Sequence, residues 1–182
     1  MNKIFKIVNG FVVQDGTQVF PFLNSKDCMS DLPFDLVEGF SIAAGEIFPL
    51  SRSKIHLMPL VTQVTFVLDG NLSIYMKDKI SSEQYKLELE KHEAIVTQPG
   101  TFFQLVNETK ELCRVLYIVS PDYLYDKVDN KVVYDDAIVL NEDWEQLSQL
   151  NWNPLDLLNS NITPESRQVA YEKIKLKKNI IK

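Results

Sequence analysis

Between Phe11 and Leu140 the chain breaks into short runs, many of them rich in Val, Ile, Phe or Tyr and closed off by Gly, Asn, Asp or Pro. Asn9-Gly10 and Asp15-Gly16 bracket Phe11 to Val13, a hairpin signature. Further strand-like runs are Phe40 to Ile47, Lys54 to Met58, Val61 to Leu68, Leu72 to Met76, Tyr85 to Leu89, Ala94 to Thr97, Phe102 to Val106, Leu112 to Val119 and Lys131 to Leu140. Asn24 to Phe34 reads as a polar loop. Many short strands with no helical period between them confine the first two thirds to a sandwich or a double-sheet barrel.

After Leu140 the period changes. Asn141 is placed to cap a helix with Glu142 and Asp143 in its first turn and Trp144, Leu147 and Leu150 at helical spacing. Thr163-Pro164-Glu165 opens a second helix carrying Ala170, Tyr171 and Ile174 on a face. With no linker or repeat in 182 residues, the expected organisation is one domain: strands and a loop over 1–35, a barrel core over 36–140 and a helical appendage over 141–182.

Composition narrows the function. A hydrophobic content of 45% supplies a core, and a formal charge of −6 argues against a general nucleic-acid binder. The local basic stretch, Lys173, Lys175, Lys177, Lys178 and Lys182, reads as a solvated helix end or tail. Cys28 and Cys113 have neither C-x-x-C nor zinc spacing, so reduced thiols are expected. The N-terminus lacks the apolar core of a signal peptide and no run is long enough to span a bilayer; the expectation is a cytoplasmic protein with no membrane partner.

One pair of segments carries more specific information. His56 begins a stretch with Met58 and Gln63, followed six residues later by Gly70. His92 begins another that runs through Gln98, Pro99, Gly100 and Phe103 to Asn107. In register and spacing these resemble the two cupin motifs, with Gly70, Gly100 and Asn107 in place. Met58 stands where the family has its second His, Gln63 where it has Glu, Phe103 where it has the third His, and His92 where it has a turn Gly. The resemblance implies an all-β, double-stranded β-barrel of jelly-roll type, a homodimer, and a metal site of which only His56 survives. Thioether, amide and phenyl groups are poor replacements for imidazole and carboxylate around a divalent metal. No metal and no cofactor are therefore expected, which speaks against a metal-dependent dioxygenase.

The candidate site follows from strand alternation. Arg52, Lys54, His56 and Met58 share one face if the strand begins by Arg52, and in the resemblance that face looks inward. Cations there would need an anionic partner, which points to a small carboxylate or phosphate ligand; the alternative is that Arg52 and Lys54 lie in a solvated loop. Gln63 is read as a hydrogen-bonding group and Phe103 as an apolar wall. His92 reads as an exposed turn residue, since His tolerates positive φ better than branched residues. Ser73, Tyr75 and Lys77 alternate with Leu72, Ile74 and Met76, and one set faces inside. If it is the polar set, Tyr75 joins His56 as an acid or base. The expected function is a metal-independent isomerase, epimerase, cyclase or lyase acting on a small anionic metabolite, with a non-catalytic small-molecule binder as the alternative.

Overall fold

A computed structural model describes residues 4, 6–7, 9–23, 39–122, 125–128, 131–134 and 137–149. Its strands are β1 (Phe11–Val12), β2 (Gln18–Leu23), β3 (Ser41–Ile47), β4 (His56–Leu57), β5 (Thr62–Asp69), β6 (Leu72–Lys77), β7 (Tyr85–Leu89), β8 (Ala94–Thr97), β9 (Phe102–Val106), β10 (Cys113–Ser120), β11 (Tyr125–Val128), β12 (Lys131–Tyr134) and β13 (Ile138–Val139). One helix, α1, covers Trp144–Leu147. A six-stranded antiparallel sheet runs β1-β2-β3-β10-β5-β8 and a five-stranded one runs β13-β4-β9-β6-β7, with β11 and β12 as a separate hairpin. Consecutive strands cross repeatedly from one sheet to the other, which is why so many short strands close on a single interior.

The faces of the sheets follow from period-two alternation. On β10, Cys113, Val115, Tyr117 and Val119 are buried while Arg114 and Ser120 are exposed. These inward residues meet Val67 of β5, Ala43 and Ile47 of β3, and Leu72, Ile74, Met76 and Phe103 from the facing sheet in one apolar cluster. Burying each such large side chain is worth roughly 1.5–3 kcal/mol. On the outward face of the larger sheet the registered partners form two rows: Phe20, Ala44, Leu116, Phe66 and Ala94, then Leu23, Ile42, Ile118, Val64 and Val96. Part of the outward face of the smaller sheet is covered: Leu57 and Phe102 pack with Ile138, Leu140 and Leu147 in a second cluster that Trp144 borders.

Several expectations change in detail. Asp143, not Asn141, is the N-cap of α1, because Gln146 three residues on completes a capping box: its backbone N donates to Asp143 Oδ1 at 2.8 Å and its Oε1 accepts from Asp143 N at 3.0 Å. The run Lys131 to Leu140 is not one strand but β12 and β13 in different sheets. β2 carries Pro21 in a strand with an irregular register beside β3, and it joins β1 to the six-stranded sheet itself. Leu150 and the helix expected after Thr163 lie outside the described residues. Gly70 and Gly100 have φ of 80° and 81°, and at Gly70 an added Cβ would also come within 3.0 Å of the Leu112 carbonyl oxygen. His92 has φ 72° and is exposed in its turn, stacked over Phe66 at 6.5 Å.

Candidate functional site

Strand β4 is short because side chains replace the ladder just before it. Ser53 Oγ accepts from Leu105 N at 3.0 Å, and Lys54 O receives His56 Nδ1 at 2.8 Å. A carbonyl only accepts, so Nδ1 carries hydrogen and Nε2 faces the interior. There it meets Asp15 Oδ2 at 3.4 Å, with both side chains almost wholly buried. Asp15 sits in the hairpin turn between β1 and β2, where Thr17 N and Thr17 Oγ1 donate to its Oδ1 at 2.9 and 2.7 Å. This local turn spends one carboxylate oxygen and leaves the other for His56. The same hairpin is tied to the strand approach by Lys54 N donating to Asp15 O at 2.7 Å.

The electrostatics of this pair follow from hydrogen-bond polarity. With Nδ1–H committed to Lys54 O, Nε2 and Asp15 Oδ2 face each other at 3.4 Å, further apart than the roughly 2.7–2.9 Å of a tight charge-assisted bond, so neither is closed off from a third group. The pair opens on a cavity of about 30 Å³ whose walls include Met58, Gln63, Leu105, Tyr117 and Val139. At roughly 10–15 Å³ per water-sized centre, this is room for about two such centres.

The residues read from sequence as lining one site are divided by the structure. His56, Met58 and Gln63 share the cavity. Phe103 is the cross-strand partner of His56, with ring centroids 4.1 Å apart. Gln63 Nε2 donates to Thr65 Oγ1 at 3.2 Å. Arg52 and Lys54 do not share this inward face: both are exposed and line a surface groove of about 560 Å³ with Gln104 and Trp144. The physical reason is the interrupted ladder over residues 53–55, which breaks the alternation, and Lys54 Nζ reaches outward to Asn141 Oδ1 at 3.3 Å. Tyr75 is also displaced from the expected site. Leu72, Ile74 and Met76 fill the interior, and Tyr75 OH donates to Glu108 Oε1 at 3.0 Å on the outer side. Lys86, with help from Tyr75 and Ser73, holds the Glu108 carboxyl below its usual range.

The family's metal does not fit this donor set. At the four ligand positions stand one imidazole, a thioether, an amide and a phenyl ring, and Asp15 adds a single carboxylate. No group of three or more His, Cys, Asp or Glu side chains is placed to hold a metal among the described residues. Asn107 has the opposite character: Nδ2 donates to Ile47 O at 2.9 Å and Glu111 O at 2.7 Å, while Oδ1 accepts from Thr109 N at 3.0 Å and Thr109 Oγ1 at 2.8 Å. It binds the end of β9 to β3 and to the turn before β10. Cys113 is fully buried, and burial pushes its thiol up to about 11. In a Cys28→Ser background, Cys113 should stay unmodified by a thiol reagent at neutral pH until denaturant is added; fast labelling of folded protein would contradict this burial.

No protein-family model matches the chain, and no curated protein matches it. Solved structures do. The structure of CapF with the inhibitor 3-isopropenyl-tropolone matches with a TM-score of 0.52 at 13% identity, over 76% of this chain and 34% of CapF. The plu4264 protein from Photorhabdus luminescens matches with a TM-score of 0.51 at 17% identity, over 66% of this chain and 88% of that one. The cupin domain of Drosophila melanogaster CENP-C matches with a TM-score of 0.48 at 14% identity, over 64% of this chain and 74% of that one. The fold is a cupin-type double-stranded β-barrel. In the cupin-type frame His56 and Phe103 occupy facing positions, as their motif places imply. This chain spans about a third of CapF, and at these identities the likeness is one of fold. Asp15 was missed as a site residue: the Asp-Gly pair signals a turn, and nothing local indicates that its second oxygen reaches His56. No helix among the described residues is long and apolar enough to cross a membrane.

Proposed function

We propose that this cupin-type barrel is a metal-independent proton-transfer enzyme of the isomerase, epimerase, cyclase or lyase kind, with His56 and Asp15 as its acid–base pair. The observation that carries this reading is a buried imidazole and carboxylate, 3.4 Å apart, facing a cavity. Asp15 Oδ2 accepts a proton from a carbon next to a carbonyl, the C–H electron pair moves into that carbonyl, and Nε2–H of the imidazolium supplies the balancing proton. Low surrounding dielectric strengthens both interactions. Because Asp15 already faces His56 and the two nearby cations point outward, a net anion gains no free counter-charge from Arg52 or Lys54 inside. The substrate class that fits is a small, largely uncharged carbonyl compound held by Met58 and Leu105, with Gln63 as its polar contact.

The test is deuterium uptake. Candidate carbonyl metabolites are incubated with the protein in D₂O and followed by NMR. Exchange at the carbon beside the carbonyl should fall by at least about 100-fold in His56→Ala and in Asp15→Asn, the usual scale for a lost acid or base. Arg52→Ala and Tyr75→Phe should leave it unchanged. Loss of exchange in Arg52→Ala would move the site to the outer groove. A ligand that binds at His56 without exchange would favour the non-catalytic binder, a reading that the apolar character of the cavity walls also suits.

A further inference from the structure

We propose that the surface groove lined by Arg52 and Trp144 is a second ligand site, separate from the cavity at His56, and that it takes a small aromatic carboxylate. Its volume of about 560 Å³ lies within the roughly 300–1,000 Å³ usual for small-molecule sites. Its apolar lining comes from Ile55 and Leu140, both buried, and Leu140 N donates to Ile55 O at 2.8 Å, which holds the two segments side by side. With them is the half-buried indole of Trp144, whose orientation is fixed. Trp144 Nε1 donates to Gln104 Oε1 at 3.1 Å, and Gln104 Nε2 donates in turn to Ser53 O at 2.7 Å. Turning the ring away would take that donor from the Gln104 oxygen, so a flat apolar surface is offered to a ligand at little further cost in ordering.

The charged groups of the groove are unevenly engaged. Glu142 Oε2 accepts from Asn141 N at 3.0 Å and Asp143 Oδ1 from Gln146 N at 2.8 Å, so both carboxylates serve the segment that starts α1. Among the described residues Lys54 Nζ reaches only a neutral amide oxygen, that of Asn141 at 3.3 Å, and Arg52 has no ion pair or side-chain hydrogen bond. The arginine is nevertheless held at its backbone: it bridges to Val106 of β9, and its neighbour Ser53 N donates to Leu105 O at 2.9 Å. A guanidinium on a fixed backbone, with its N–H fork unused, matches a carboxylate bidentately. The two cations and two carboxylates sum to zero, so no broad positive field draws in every anion, and affinity depends on direct contact with Arg52 and Trp144 together. That combination selects a ring bearing a carboxylate over either half alone.

The probe is benzoate, titrated into the full chain and followed by ¹⁵N NMR at the Trp144 indole N–H, whose signal is the one that persists in Trp152→Phe. A saturable shift with a Kd of about 1 mM or tighter is expected, as suits a ligand of this size. Benzyl alcohol, which keeps the ring, and acetate, which keeps the charge, should each bind at least about 10-fold more weakly. Arg52→Ala should raise the benzoate Kd by at least about 10-fold, the scale of one lost charge-assisted contact. Lys79→Ala, in the turn between β6 and β7, should leave it unchanged. Far-UV circular dichroism checks folding; if Arg52→Ala does not fold, Arg52→Lys, which keeps the charge and loses the fork, decides by weakening benzoate as well. No saturable movement of the Trp144 signal, an unchanged Kd in the Arg52 variant, or benzyl alcohol binding as tightly as benzoate overturns the proposal. So does a response centred on Gln63 and Leu105, which would place benzoate inside the barrel instead.

Discussion

Asn107→Ala is expected to lower the unfolding free energy by roughly 3–5 kcal/mol and the melting temperature by about 10 °C. The side chain is 1% exposed, and both its donor hydrogens and its oxygen are engaged. Truncation leaves the Ile47 carbonyl and the Thr109 amide short of a partner, and the Glu111 carbonyl with only Thr109 Oγ1. Asn107→Asp retains the acceptor but sets a carboxylate against two carbonyl oxygens, so it should recover little. Chemical denaturation of both variants measures the effect. A loss below about 1 kcal/mol would mean that the three segments are held together without this residue.

Restoring the family's ligands should create a metal centre. The combined variant Met58→His, Gln63→Glu and Phe103→His places three imidazoles and a carboxylate around the cavity, with Asp15 nearby. Its affinity for nickel or zinc should exceed that of the wild type by roughly a thousandfold or more, because each added group supplies a strong first-row ligand. Titration calorimetry reads the change, and His56→Ala in the same background should abolish most of it. Wild-type protein purified without added metal should contain far less than one transition-metal ion per chain. No gain in the triple variant would show that these four stations do not converge, despite Phe103 lying opposite His56.

Much of the barrel was legible along the chain. The runs from Phe40 to Val119 became strands with ends shifted by only a few residues, and Gly70, His92 and Gly100 have the positive φ that the motif spacing implies, whereas Leu50 has one that no motif signalled. Such features are local: a pleat alternates sides every residue, and a tight turn selects the residue that tolerates its φ. Where alternation was extended through irregular backbone it failed. Arg52 and Lys54 would share a face with His56 only on a continuous strand, and Ser53 Oγ and His56 Nδ1 interrupt that strand by taking over its backbone hydrogen bonds.

By itself the sequence determined a two-sheet β architecture, the register that puts Met58 and Gln63 around one cavity with His56 and sets Phe103 against His56, and the weakness of that set as a metal site. The architecture follows from residue identity and short-range period, and the grouping of Met58, Gln63 and Phe103 about His56 from the resemblance to the cupin motifs. Only the tertiary structure decided that Asp15, on a distant hairpin, meets His56, that Tyr75 turns outward to Glu108 and that the cations leave the interior. The polar or apolar choice on β6 required knowing which neighbours fill the barrel, and burying Leu72, Ile74 and Met76 removes far more apolar surface than burying Ser73, Tyr75 and Lys77 would. Contacts between separated segments depend on how the barrel closes, and no local pattern encodes the distance between the turn at Asp15 and the strand at His56.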